Sequence, residues 1–306
     1  MIALLCPGQG SQTPGMLSPW LELPGASETL TSWCEVSGLD LVTLGTTATA
    51  EEITDTAVTQ PLVVAATLLA HQELVRRNLL ARREISREVL VAGHSVGEIA
   101  AYAIGGIISA DDAVALAATR GVEMAKACAL EPTGMSAVLG GEETEVLARL
   151  DELELVPANR NAAGQVVAAG RLDALAKLAE NPPEKARVRL LATAGAFHTH
   201  FMSSALDAYT AAAANVQTAE PTAVVLSNAD GQPVASAEDA MTKLVAQMTR
   251  PVRWDLCTET LRQRNVTAIV EFPPAGTLTG IAKRELRGIG THAVKSPADL
   301  DGLAAF

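Results

Sequence analysis

No other stretch of this 306-residue chain narrows its folds as much as Glu88-Val89-Leu90-Val91-Ala92 followed by Gly93-His94-Ser95-Val96-Gly97. The first five residues read as a buried strand, and from Glu98-Ile99-Ala100-Ala101-Tyr102 the apolar period becomes helical. A strand that becomes a helix across so short a turn must bend sharply, which glycines on both sides of the turn permit. The pattern is G-x-S-x-G. It projects the Ser95 oxygen at a helix amino terminus, where free backbone N–H groups lie beside a reacting carbonyl. The plainer alternative is a Gly-Ser turn without chemistry; the strand–turn–helix context favours a nucleophile.

The rest of the chain repeats the alternation of strand and helix. Residues 2–6 read as a buried strand, followed by the loop Pro7-Gly8-Gln9-Gly10-Ser11-Gln12. Residues 61–78 carry a helical pattern from Pro61 to Arg76-Arg77, and Arg82 to Glu88 is a charged, solvated connection. Ser109 with Asp112 three residues on opens another helix, and further strands fall at 223–226 and 267–271. This order predicts an α/β fold with a mainly parallel sheet. The stretch 134–192 differs: strands at 134–139, 155–159, 165–169 and 187–192 are interrupted by helices at 144–153 and 172–179. That order, βαββαβ, is the ferredoxin-like arrangement. It predicts a small domain at 131–192 set into a large one made of 1–130 and 193–306.

Composition excludes several function classes. Lys plus Arg is 23 and Asp plus Glu is 35, a net charge of −12, without the basic footprint of a nucleic-acid binder. The amino terminus lacks the basic region of a signal peptide, and the apolar run Leu62–Ala70 is too short to span a bilayer, so no membrane is expected. Cys6, Cys34, Cys128 and Cys257 are scattered without a CxxC pair, which speaks against a zinc site or disulfide framework and for reduced thiols in the cytoplasm.

A serine nucleophile needs a base. Of five histidines, His71 and His292 read as structural, and His94 adjoins Ser95 but points elsewhere. His198 and His200 remain, in Gly195-Ala196-Phe197-His198-Thr199-His200, with spacing slightly favouring His198. No aspartate stands out as a third member; neither Asp173 nor Asp207 is obviously placed, so a dyad held by a backbone carbonyl is a fair alternative. Arg120 shares its helix face with Ala113, Leu116, Ala117 and Met124. A guanidinium on an apolar face needs an anion, either a carboxylate of the chain or one on a ligand. Gly8-Gln9-Gly10 lacks the third glycine of a dinucleotide loop, and a role in donating N–H groups to an oxyanion suits it better, with no cofactor.

Taken in order, Pro7-Gly8-Gln9-Gly10-Ser11-Gln12, Gly93-His94-Ser95-Val96-Gly97-Glu98, Thr119-Arg120-Gly121, Asn161-Ala162-Ala163-Gly164-Gln165, Phe197-His198 and Arg250-Pro251-Val252-Arg253-Trp254 resemble the malonyl-CoA:acyl carrier protein transacylases and the acyltransferase domains of polyketide synthases. The resemblance covers essentially the whole chain. It implies a hydrolase-like α/β domain with a ferredoxin-like insert, no cofactor, and malonyl-CoA and an acyl carrier protein of fatty-acid or polyketide synthesis as partners. By position it makes Ser95 the acylated residue, His198 the base, and the N–H groups of Gln9 and Val96 the oxyanion hole. Arg120 would bind the malonyl carboxylate, with Phe197, Asn161 and Met124 as further substrate-binding residues, and the Gln247 carbonyl would orient His198. Phe197 looks like the malonyl-selecting form, since a large aromatic leaves little room for a branch methyl, worth about 1–3 kcal/mol. The competing class is a serine esterase or thioesterase, which shares G-x-S-x-G; a catalytically silent carrier-binding subunit is disfavoured while Ser95, His198 and Arg120 are all present.

Overall fold

The computed structural model describes residues 1–79 and 89–305. The 82–88 connection therefore lies outside the described residues. The first sheet is wholly parallel and runs β7–β2–β1–β8–β9, with β1 Ile2–Cys6, β2 Val89–Gly93, β7 Val224–Leu226, β8 Ala268–Glu271 and β9 Gly290–Ala293. Along β1, Ile2, Leu4 and Cys6 enter one apolar cluster while Ala3 and Leu5 enter another on the opposite face. A strand buried on both faces can be apolar at every position, and this is why β1 and β2 read as unbroken apolar runs.

Helices α1 Thr56–Arg76, α2 Gly97–Ile104 and α3 Ala110–Cys128 contribute to the larger cluster. The structure moves the start of α1 forward: Pro61 lies inside the helix, which begins at Thr56 under an Asp55 cap whose side chain accepts from the Ala57 N–H. A proline within a helix costs one backbone hydrogen bond, and the dense burial of 60–70 on neighbouring elements outweighs that loss. Helix α3 starts as expected, with Ser109 Oγ accepting from the Asp112 N–H at 3.0 Å.

The second sheet spans β3 Thr133–Gly140, β4 Val156–Ala162, β5 Gln165–Arg171 and β6 Ala186–Leu190, with α4 Glu143–Glu152 and α5 Leu172–Glu180 between them. It is antiparallel in the order β4–β5–β3–β6, the ferredoxin-like topology. Val138, Val166 and Ala168 pack under Val146, Leu150, Leu175 and Leu178 of its two helices. It is tied to the first body where Val252 N–H donates to Ala158 O and Arg160 N–H donates to Val252 O, both at 2.9 Å. After β6 follow α6 Leu206–Ala214, α7 Ala237–Ala246, α8 Trp254–Gln263 and α9 Thr277–Glu285. Strand β9 has no counterpart in the sequence reading: Gly290-Thr291-His292-Ala293 has no apolar pattern and is held at the sheet edge by main-chain pairing with β8. No helix among the described residues is long and apolar enough to cross a membrane.

Candidate active site

Parallel strands expose their carboxyl ends on one side, where open α/β sheets bind ligands. Three adjacent strands deliver site residues there: Gln9 follows β1, Ser95 follows β2 and Asn228 follows β7. The turn at Ser95 is packed so tightly that a Cβ on Gly93 would overlap the Gly97 carbonyl, and one on Gly97 would overlap that of Cys6. Ser95 itself has φ +54°, a left-handed conformation that costs a non-glycine residue about 1–3 kcal/mol. The surroundings hold it there. Asn228 Oδ1 accepts from Ser95 N–H at 2.8 Å, and Asn228 Nδ2 donates to Gly93 O at 2.6 Å. The N–H groups of Gln9 and Val96 have no acceptor among the described residues.

The structure brings His198, not His200, to the serine: Nε2 of His198 lies 2.7 Å from Ser95 Oγ. His198 also has a positive φ of 59°, so the chain turns sharply there and sends the neighbouring imidazole elsewhere. His200 is exposed against the Phe201 ring. Nδ1 of His198 sits 2.8 Å from the Gln247 main-chain carbonyl at the end of α7. A carbonyl only accepts, so Nδ1 carries the proton and Nε2 is left as an acceptor facing the serine. Burial first, and then the Arg120 charge, push the imidazole pKa down to about 3, which keeps it neutral. No aspartate occupies the Nδ1 position. His94 pairs instead with Asn161 of β4 (Nε2···Oδ1 2.9 Å) and meets Trp254 edge-on, while His71 meets Phe272 in the same way.

Arg120 is 1% exposed, and among the described residues no carboxylate lies within ion-pair distance of it. Neutral acceptors hold it: Nη1 donates to Gln60 Oε1 at 2.7 Å, and Nη2 to Gln247 Oε1 at 3.0 Å. Nη2 also reaches Ser95 Oγ at 3.4 Å, and Nε has no partner. The ion-pair alternative open from the sequence is thereby removed. A cation buried beside the serine hydroxyl with an unused donor has the chemistry to bind an anion. Met124 stands behind this contact, its sulfur accepting from Gln60 Nε2 at 3.4 Å. Phe197, directly before His198, is 6% exposed in the main core cluster.

Three participants escape a reading of the sequence. Gln60, Asn228 and the carboxyl of Glu98 are distant in sequence from the groups they hold, and a polar residue whose partners lie far along the chain carries no periodic signal. The nearest hint is that Gln60 and Glu98 fall where helix packing leaves no room for solvent.

An α/β fold with this serine–histidine pair and a buried, carboxylate-free arginine defines a class of acyl-group enzymes. Residues 3–298 match the acyl transferase domain, and the chain belongs to that family. The similar curated relatives are malonyl CoA-acyl carrier protein transacylases. Those of Mycobacterium bovis and Mycobacterium tuberculosis are 74% identical over 304 residues, covering 99% of this chain and of each relative. That of Escherichia coli is 29% identical over 303 residues, covering 97% and 96%. The crystal structure of MCAT from Mycobacterium tuberculosis superposes with a TM-score of 0.96 over 99% of both chains at 74% identity. That of PlMCAT, solved with its type II PKS acyl-carrier protein, gives 0.89 at 28% identity over 99% of both chains.

Proposed function

We propose that this chain transfers a malonyl group from malonyl-CoA to the phosphopantetheine thiol of an acyl carrier protein through a malonyl-Ser95 intermediate. The observation that carries this reading is Arg120, buried without a carboxylate of its own and 3.4 Å from Ser95 Oγ. Family membership supports acyl transfer, and the names of the relatives supply malonyl-CoA and the carrier.

His198 Nε2 takes the Ser95 proton as Oγ attacks the thioester carbonyl. The N–H groups of Gln9 and Val96 face the oxyanion, and the Ser95 N–H is withheld because Asn228 binds it. The tetrahedral species collapses, the C–S bond breaks, and the imidazolium returns its proton to the departing coenzyme A sulfur. The carrier thiol then gives its proton to His198 and attacks the ester, and Ser95 leaves with that proton. Throughout, Gln247 O holds Nδ1–H, which fixes the tautomer without an aspartate. Arg120 clamps the malonyl carboxylate and with it the acyl group's orientation. Phe197 borders the α-carbon and disfavours a branch methyl, Asn161 lines the cleft from the small domain, and Met124 bears on Arg120 through Gln60. We take the small domain as 131–192 and the large one as 1–130 with 193–306; the antiparallel sheet, confined to 133–190, supports that division. Four unpaired cysteines support a cytoplasmic location.

Intact-mass measurement after mixing with malonyl-CoA tests the reading. One malonyl adduct, mapped to Ser95 and discharged by a carrier thiol, is expected. Release of free malonate at the same rate with and without thiol would instead make the chain a thioesterase.

The family resemblance implies an acidic carrier, which this acidic chain would receive on a local basic surface. Arg187 and Arg189 lie exposed on β6, and Arg187 and Gln165 flank Leu139 in one cross-strand row. Gln165 Oε1 accepts from Arg284 Nη2 at 2.6 Å, which adds α9, with Lys283 and nearby Arg287, to that row. None of these five cations is ion-paired among the described residues. Arg187→Glu with Arg189→Glu should slow transfer to carrier protein about tenfold at low salt, through encounter rate, and spare transfer to free pantetheine. Equal slowing with both acceptors would remove the surface from the mechanism.

A further inference from the structure

We propose that Glu98 is a positioning residue for malonyl transfer, fixing the Gln247 amide and through it the seat of Arg120. The inference rests on the reading of Ser95 and Arg120 given above. Glu98 lies on α2, three residues after Ser95, and is fully buried. The other buried glutamates have plain structural partners: Glu73 pairs with Arg76 and Arg77, and Glu271 accepts the N–H groups of Gly276, Leu278 and Thr279 that open α9. Glu98 touches no cation among the described residues. Its Oε1 accepts from Asn228 N–H at 2.6 Å, and its Oε2 from Gln247 Nε2 at 2.5 Å.

Those two partners reach the whole site. Asn228 holds the Ser95 N–H. Gln247 Nε2 also donates to Ser95 O at 3.2 Å, and Gln247 Oε1 accepts from Arg120 Nη2 at 3.0 Å. A carboxamide can face either way, and only one way serves here. Turned over, Gln247 would set N–H against the guanidinium N–H groups and lose Ser95 O. An ionised carboxylate accepts and never donates, so Glu98 selects the working orientation. Protonated, it keeps one accepting oxygen and gains one O–H donor; the Asn228 main-chain N–H can only donate, whereas the Gln247 amide can turn its Oε1 to that O–H, which abandons the working orientation.

Burial pushes the Glu98 pKa up to about 7, against the pull of its hydrogen bonds and of Arg120. The titratable groups facing it are Arg120 from α3, Tyr102 on its own helix, Tyr209 from α6 and Cys257 from α8. Burial raises both tyrosines and the cysteine above their ordinary values, so they stay neutral near pH 7, and His198 is already neutral there. A malonyl carboxyl ionises well below this range, since ordinary carboxyls titrate near 4.

Adduct formation from malonyl-CoA and from acetyl-CoA, followed between pH 5.5 and 8.5, reads this directly. In the unaltered protein the malonyl preference should fall at least tenfold across a midpoint near 7 as pH drops. Glu98→Gln should show the low preference at every pH, with the acetyl rate changed much less. A preference that stays constant with pH in the unaltered protein overturns the proposal, and needs no variant to fold. So does a Glu98→Gln protein with the unaltered profile. Failure to form any malonyl adduct at pH 8.5, or no malonyl preference there, would sink the underlying reading of Ser95 and Arg120 instead.

Discussion

Ser95→Ala should yield no covalent malonyl-enzyme at any time, and His198→Ala should form it about 10²- to 10⁴-fold more slowly. The two losses have different origins. Without Oγ there is no atom to acylate. Without the imidazole, Oγ remains but must shed its proton to water, and the Nε2 contact of 2.7 Å that would receive it is gone. Neither change should unfold the protein. Alanine shortens Ser95 by one oxygen at a left-handed position that the Asn228 clamp already enforces. His200→Ala is the matched control, since that ring is exposed and stacks on Phe201. Quenched time courses by intact mass, with thermal unfolding alongside, separate the cases. A malonyl adduct on the Ser95→Ala protein would move the nucleophile elsewhere, and a larger loss in His200→Ala than in His198→Ala would move the base. Because burial holds the His198 pKa down to about 3, acidification to pH 5.5 should not disable the base by itself.

The features legible in the sequence are those that local physics fixes. Gly93 and Gly97 announce the turn because no side chain fits there, and the alternation of β1 between two cores leaves an apolar run that any strand reading finds. The small sheet is legible because one face of each strand packs beneath amphipathic helices, giving βαββαβ its spacing. Choosing between His198 and His200 is not a local matter: the choice depends on a positive φ at 198 and on a carbonyl 49 residues away. Arg120 can be placed on an apolar face from spacing, but only the contacts of Gln60 and Gln247, which satisfy it without charge, free it of an internal ion-pair partner. Glu98 stays hidden for the same reason. Its position in the G-x-S-x-G-E run is local, whereas its partners Asn228 and Gln247 arrive from other elements. Pro61 misleads because it resembles a helix start, and the true cap at Asp55 is reinforced by tertiary packing that periodicity does not record.

Arg120→Ala should separate malonyl from acetyl transfer more sharply than any other single change. The variant keeps Ser95, His198 and the Gln247 carbonyl, so the serine remains competent toward a neutral acyl group. What it removes is the buried cation, and a malonyl carboxylate would then be desolvated with no partner. Breaking a desolvated charge pair costs about 2–5 kcal/mol, or roughly 30- to several-thousand-fold in kcat/KM for malonyl-CoA. Acetyl-CoA has no carboxylate and should be transferred as well as before or better, since an unpaired guanidinium no longer faces its methyl group. Arg120→Lys should recover only part of the loss. An ammonium restores charge, but it cannot make two parallel hydrogen bonds to a carboxylate while holding Gln60 and Gln247. Arg120→Ala also bears on the base. Removing the cation relieves one of the influences that depress the His198 pKa, so that pKa should rise, though burial remains the larger influence. Paired kcat/KM values for the two acyl-CoAs distinguish the two roles open to this arginine. If both fall by the same factor, Arg120 supports the architecture of the site and does not read the substrate.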